Sequence, residues 1–122
     1  VTCELNYVSD YPPLYNDPEV TAEVVSILEN ANDPTITEVK EVQVFSGSED
    51  FSYYLEKVPG VYFNIGCKPK GVETVYFNHH PKFDIDEDAL LVSAKSVAHV
   101  VCNYVGIKES EKENSDAIVA NK

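Results

Sequence analysis

The sequence predicts an α/β fold in which helices pack on a layered sheet. Three observations carry this. Short β-branched runs alternate with segments whose apolar residues recur at three and four. Pro, Gly and Asn-Asp clusters separate them. The resulting order is strand, link, helix, strand, helix, strand, loop, helix, which suits a sheet covered by helices.

Residues 1–8 alternate: Val1, Cys3, Leu5 and Tyr7 fall on one face, and Thr2, Glu4 and Asn6 on the other. That is the period of a half-buried strand. Tyr11-Pro12-Pro13 ends it, because consecutive prolines cannot continue a ladder. A crossing between domains is expected there. Asp17 can then cap a helix with Pro18 at its first position. Val20, Val24, Ile27, Leu28 and Ala31 make its apolar stripe, and Asn32-Asp33-Pro34 stops it.

Residues 35–45 are rich in β-branched side chains and predict a strand with Val42 and Val44 toward the core. Gly47 allows a tight turn. Ser48 caps the expected second helix, whose first turn holds Glu49 and Asp50. Phe51, Tyr54, Leu55 and Val58 form its apolar face, and Pro59-Gly60 stops it. Residues 61–66 read as a buried strand and 75–77 as a short one. Asp86 can cap the last helix, in which Leu90, Ala94, Val97, Val101 and Val105 keep helical spacing. Gly106 suits its end. From Lys108 onward charged and small polar residues dominate, so a disordered acidic tail is expected over 108–122.

The chain has 122 residues, the length of one domain. Its net charge of −12 argues against nucleic acid and anionic membrane, both of which need positive patches. Solubility is the simpler account of that charge, and a substrate-linked role is the other. No apolar run suggests a membrane span, and no leader pattern opens the sequence. Cys3, Cys67 and Cys102 are odd in number and far apart, which fits a reducing cytoplasm better than a disulfide framework. The sequence lacks Met even at position 1 and opens in mid-strand, so a piece of a larger protein is expected.

Two stretches carry chemistry. Gly47-Ser48-Glu49-Asp50-Phe51 places two carboxylates at a helix start, and His79-His80-Pro81-Lys82-Phe83 places two imidazoles in a loop. Carboxylate and imidazole are the usual ligands and proton carriers of metal-dependent hydrolysis. Each stretch also has a structural reading. Acidic residues in a first turn stabilise a helix without further role, and paired histidines can be ordinary loop residues. Cys67 and Cys102 can be core residues, reactive thiols or ligands, with a core position expected for Cys102.

Taken with their flanks, these blocks resemble a known family. Gly-Ser-Glu-Asp-Phe-Ser, then Val-Pro-Gly-Val-Tyr-Phe-Asn-Ile-Gly, then His-His-Pro-Lys-Phe-Asp-Ile-Asp-Glu are similar to the C-terminal third of the aminoacylase-like metallopeptidases. The branch resembled is that of hippurate hydrolases, N-acetyl-amino-acid deacetylases and auxin-conjugate hydrolases. Tyr11-Pro12-Pro13 with Asn16-Asp17 matches the point where that family leaves its lid domain. The resemblance covers residues 1–107.

The resemblance implies that residues 1–10 are the last strand of a lid, or dimerisation, domain. Residues 11–107 would be the C-terminal portion of a layered α/β catalytic domain. It implies a cytoplasmic hydrolase that cleaves the amide bond of an N-acyl amino acid or small peptide-like substrate. Two divalent ions (Zn, Mn or Co) per complete site would activate water, and a homodimer would form through the lid. His79 matches the family's last metal ligand, in its His-x-Pro-x-Phe motif, and His80 falls on the variable next position. Gly47, Glu49 and Asp50 fall close to substrate. The general base and other ligands belong to N-terminal segments that have no match here, so no catalytic residue is expected in this chain, which would be inactive alone. The alternative is a truncated, non-catalytic module kept for binding or dimer contact.

Overall fold

A computed structural model describes residues 2–8 and 10–120, with side chains to Gly106. The helices are α1 (Pro18–Glu29), α2 (Ser52–Leu55) and α3 (Asp88–Ala120). α1 forms as its sequence dictates. The Asp17 carboxylate accepts from the N–H groups of Glu19 and Val20, both at 3.0 Å, and Pro18 fills the first position, where no donor is needed. Val24, Ile27 and Leu28 are buried, and α1 packs on α3. The chain leaves through Asn32, whose φ of 50° is a left-handed conformation that Asn tolerates.

A carboxylate locks this exit onto α3. Asp33 accepts from the Thr35 N–H at 2.9 Å and the Thr35 hydroxyl at 2.6 Å. Lys95 Nζ lies 3.1 Å and His99 Nε2 3.4 Å from its Oδ2. The two Thr35 bonds are the main reason its carboxyl is held well below the usual carboxylate range, with Lys95 and His99 adding to them.

The expected second helix shrinks to one turn. Its Ser48 cap is not made, and α2 begins after Phe51 without a side-chain cap. Instead Glu49 Oε1 accepts from the Phe51 N–H at 3.1 Å, and the buried Ser52 hydroxyl donates to the Glu49 carbonyl at 2.6 Å. The bonds that a longer helix would make along its axis are spent on this local turn. Gly47 lies outside it: a Cβ there would meet nothing within 4 Å.

No strand ladder forms among the described residues. The segments expected as strands at 2–8, 35–45, 61–66 and 75–77 form no strand, Thr35 lying in a turn, and Val1 lies outside the described residues. A strand needs a neighbour to satisfy its backbone, and here residues 60–67 are held otherwise. Asn16 brackets Tyr62, donating from Nδ2 to its carbonyl and accepting its N–H at Oδ1, both at 2.8 Å. The Asp17 N–H donates to the Gly60 carbonyl, and the Asp86 N–H to that of Cys67, both at 2.9 Å. Residues 61, 63, 65 and 67 are half-buried while 62, 64 and 66 are exposed, so the side chains keep the period of a strand. Val42 and Val44, expected toward the core, are exposed.

α3 differs from expectation in three respects. Its start is as read, with Asp86 Oδ1 accepting from the Asp88 N–H at 3.0 Å. But the stripe of Leu90, Ala94, Val97, Val101 and Val105 faces outward, and among the described side chains Ala89 and Ser96 are the buried positions. Cys102 is exposed rather than in the core. Second, the helix passes Gly106 and continues to Ala120, over most of the expected tail, while residues 121 and 122 lie outside the described residues. One Gly inside a helix costs only about 1 kcal/mol, and no Pro follows it. Third, Asp88–Gly106 is long and apolar enough to cross a bilayer, with mean hydropathy 1.3. Length and composition are weak evidence of a span. In this fold Ser96 is buried, and Lys95 and His99 on the same helix are engaged with Asp33.

Candidate functional site

The two motifs lie on separate turns, and no hydrogen bond or ion pair between Glu49 and His79 is present among the described residues. Each turn sorts its side chains. Around Glu49, both carboxylate oxygens are engaged: Oε1 by the Phe51 N–H, Oε2 by the Tyr62 hydroxyl at 3.1 Å. The Phe51 ring sits 5.6 Å from the Tyr62 ring and 5.6 Å from that of Tyr54. The Phe51 N–H is the main cause that lowers the Glu49 carboxyl below its usual range, with Asp50 and Tyr62 adding to it. Burial, and then the bond to Glu49, raises the Tyr62 phenol. Glu49 is thus an ionised acceptor at neutral pH. Asp50 is exposed beside it.

At residues 77–83 the backbone folds through two turns, the His80 N–H donating to the Phe77 carbonyl at 3.1 Å and the Phe83 N–H to the His80 carbonyl at 2.9 Å. The turns separate the two histidines. His80 is committed: its Nδ1 accepts from the Lys82 N–H at 3.1 Å, and its ring stacks on Tyr76 at 4.4 Å with an interplanar angle of 15°. Lys82 Nζ lies 5.8 Å from the centroid of the same Tyr76 ring. His79 is exposed, with φ of 72°, and no hydrogen bond occupies its ring among the described residues. A positive φ at a residue other than Gly stores strain, and such residues concentrate at functional sites.

Among the described residues no three His, Cys, Asp or Glu side chains converge on a point where a metal ion could sit. The donor set among the described residues therefore does not by itself fit a dimetal centre, in which His79 would be a single donor.

Asn16 and Tyr62, which shape the Glu49 turn, both lie in blocks that carry the family resemblance, but nothing in the sequence pairs them. Forty-six residues separate them, and no local spacing encodes the pair. The pairing of Lys95 and His99 with Asp33 is hidden from local sequence in the same way, since Asp33 lies outside their helix. Lys70 pairs with Asp88 at 2.7 Å, both exposed, which ties the loop after Cys67 to the start of α3.

Comparison with known proteins places these residues in a family. The profile of peptidase family M20/M25/M40 matches residues 2–103. Thermostable carboxypeptidase 2 of Saccharolobus solfataricus is 41% identical over 112 residues, 91% of this chain and 26% of the relative. N-acetyldiaminopimelate deacetylase of a Geobacillus species is 36% identical over 87 residues, 71% of this chain and 21% of the relative. A crystal structure described as an aminohydrolase from methicillin-resistant Staphylococcus aureus superposes with a TM-score of 0.74 at 43% identity. It covers 84% of this chain, which in turn covers 26% of it. The chain spans about a quarter of the length of these three proteins.

Proposed function

Because the chain belongs to peptidase family M20/M25/M40, we propose that it is the C-terminal segment of a metal-dependent amidohydrolase acting on N-acyl amino acids or small peptide-like substrates. In this reading His79 gives one ligand to a site of two divalent ions (Zn, Mn or Co), whose other donors and general base lie outside this chain. The metal would supply polarisation of the amide carbonyl and an activated water. Gly47, Glu49 and Asp50 line the substrate side. Residues 1–10 belong to a lid domain through which two copies pair, and residues 11–107 to the catalytic domain. The enzyme acts in the cytoplasm, with no membrane or nucleic-acid partner.

The observation that carries this reading is the sorting of the two histidines. His80 is used up by Lys82 and Tyr76, whereas the neighbouring ring of His79 is free on a left-handed residue. A ligand needs an unclaimed lone pair on a fixed backbone, and only His79 meets that condition. The names of the relatives, a carboxypeptidase and a deacetylase, support hydrolysis of an amide bond next to an amino acid.

The test is made in the full-length polypeptide that carries this chain. Hydrolysis of N-acetyl- and N-benzoyl-amino acids is followed with added zinc, manganese or cobalt, and bound metal is measured by elemental analysis. His79→Ala should reduce bound metal and lower the rate by a hundredfold or more, in the range of losing one electrostatic catalytic contact, about 10²–10³. His80→Ala should cost much less. A larger loss from His80→Ala would reverse the assignment. A second reading, a non-catalytic module, gains from the absence of a converged donor set among the described residues. It would prevail if the full-length polypeptide binds N-acyl amino acids but never turns them over.

A further inference from the structure

We propose that Tyr62 and Asn16 are positioning residues, which hold the Glu49 carboxylate in one orientation so that it accepts the amide N–H of the substrate. The proposal rests on the substrate-side reading of Glu49 given above and adds the residues that make it work. The geometry is a line of support with no loose joint. Asp17 is fixed by capping α1 and by its own N–H, which donates to Gly60. Beside it, Asn16 clamps the Tyr62 backbone from both sides, at 2.8 Å each. The Tyr62 ring rests against Phe51, and its hydroxyl reaches Glu49 Oε2 at 3.1 Å. The other oxygen is held by the Phe51 N–H, also at 3.1 Å.

An exposed glutamate without such partners samples many rotamers, and ordering it on binding costs free energy of roughly 0.5–1.5 kcal/mol. Here that cost is met in the folded chain. A carboxylate has about four acceptor positions; the Phe51 N–H takes one on Oε1, the Tyr62 hydroxyl one on Oε2, and Asp50 also bears on the group. The proposal needs one position left over for an N–H donor. An N-acyl amino acid offers one such donor, at the amide bond itself. Because the same contact exists in bound substrate and during reaction, its loss should appear in KM more than in kcat.

Tyr62→Phe is the decisive variant, since it keeps the ring against Phe51 and removes only the hydroxyl. In the full-length polypeptide its KM for N-acyl amino acids should rise by roughly three- to tenfold with kcat little changed. Glu49→Gln should raise KM at least as much, and Asn16→Ala should follow Tyr62→Phe. A normal KM in Tyr62→Phe alongside a raised KM in Glu49→Gln overturns the positioning role and leaves the substrate-side reading intact. An unchanged KM in Glu49→Gln, with His79→Ala still inactive, removes the substrate-side reading and this proposal with it. An independent readout uses the 122-residue chain. The carbon NMR signal of the Glu49 carboxylate should move in Tyr62→Phe, which removes the hydroxyl held against Oε2, and a signal that does not move overturns the proposal.

Discussion

Asp33 shows how much one side chain can organise when its partners come from two elements. It serves Thr35 within its own turn and Lys95 and His99 across on α3. The carboxylate lends stability in its ionised form. Because its folded pKa lies below the unfolded value, that stability is complete above the ordinary carboxylate range and is lost as pH falls through the lower, folded pKa. Asp33→Asn should therefore lower the thermal midpoint by several degrees at pH 7. The gap to the native chain should narrow as the pH is taken from about 5 toward 2, below the unfolded carboxylate range near 3.9. Thermal melts of both proteins across that range check this, and a gap independent of pH would show that the carboxylate charge is not what matters. None of this was legible in the sequence, where Asp33 read only as a helix stop. The Asp17 cap was legible, because a cap and the N–H groups it serves lie within three residues.

At the scale of elements, periodicity identified α1 and the start of α3 but not which side of α3 would be covered. The helix carries an apolar stripe at Leu90, Val97, Val101 and Val105, all exposed, and a second, shorter set of small residues that meets the rest of the fold. Hydrophobic spacing reports that a stripe exists, and packing decides which one is used. Ser96, 2% exposed, marks the covered side. Ser96→Leu should overfill it and destabilise the chain by about 1–3 kcal/mol, while Val97→Ser one position on should change stability by about 0.5 kcal/mol or less. Denaturant midpoints of the two variants test the assignment, and a larger loss from Val97→Ser would reverse it. The strands failed for a related reason. Residues 61–66 read as a buried strand, and their side chains alternate between half-buried and exposed, but a ladder requires a second chain segment that local sequence cannot supply.

Across the whole molecule, the features that remain unexplained within this chain point the same way. Leu5, Tyr7, Val44 and Phe77 are each more than two-thirds exposed, at 86%, 80%, 98% and 73%. Apolar surface of this extent in a stable monomer normally marks a contact. His79 is likewise a donor without companions among the described residues. If the rest of the enzyme supplies both the contact and the companions, the chain on its own should show two deficits together. It should bind an apolar dye such as anilinonaphthalene sulfonate more strongly than the full-length polypeptide does. It should also release no amino acid from N-acetyl- or N-benzoyl-amino acids with zinc, manganese or cobalt present, because one imidazole neither holds the metal nor removes the proton from water. The second deficit is the more severe test. Metal-dependent turnover by the isolated chain, abolished by His79→Ala and measured in material free of host hydrolase, would mean that the site is complete within these residues.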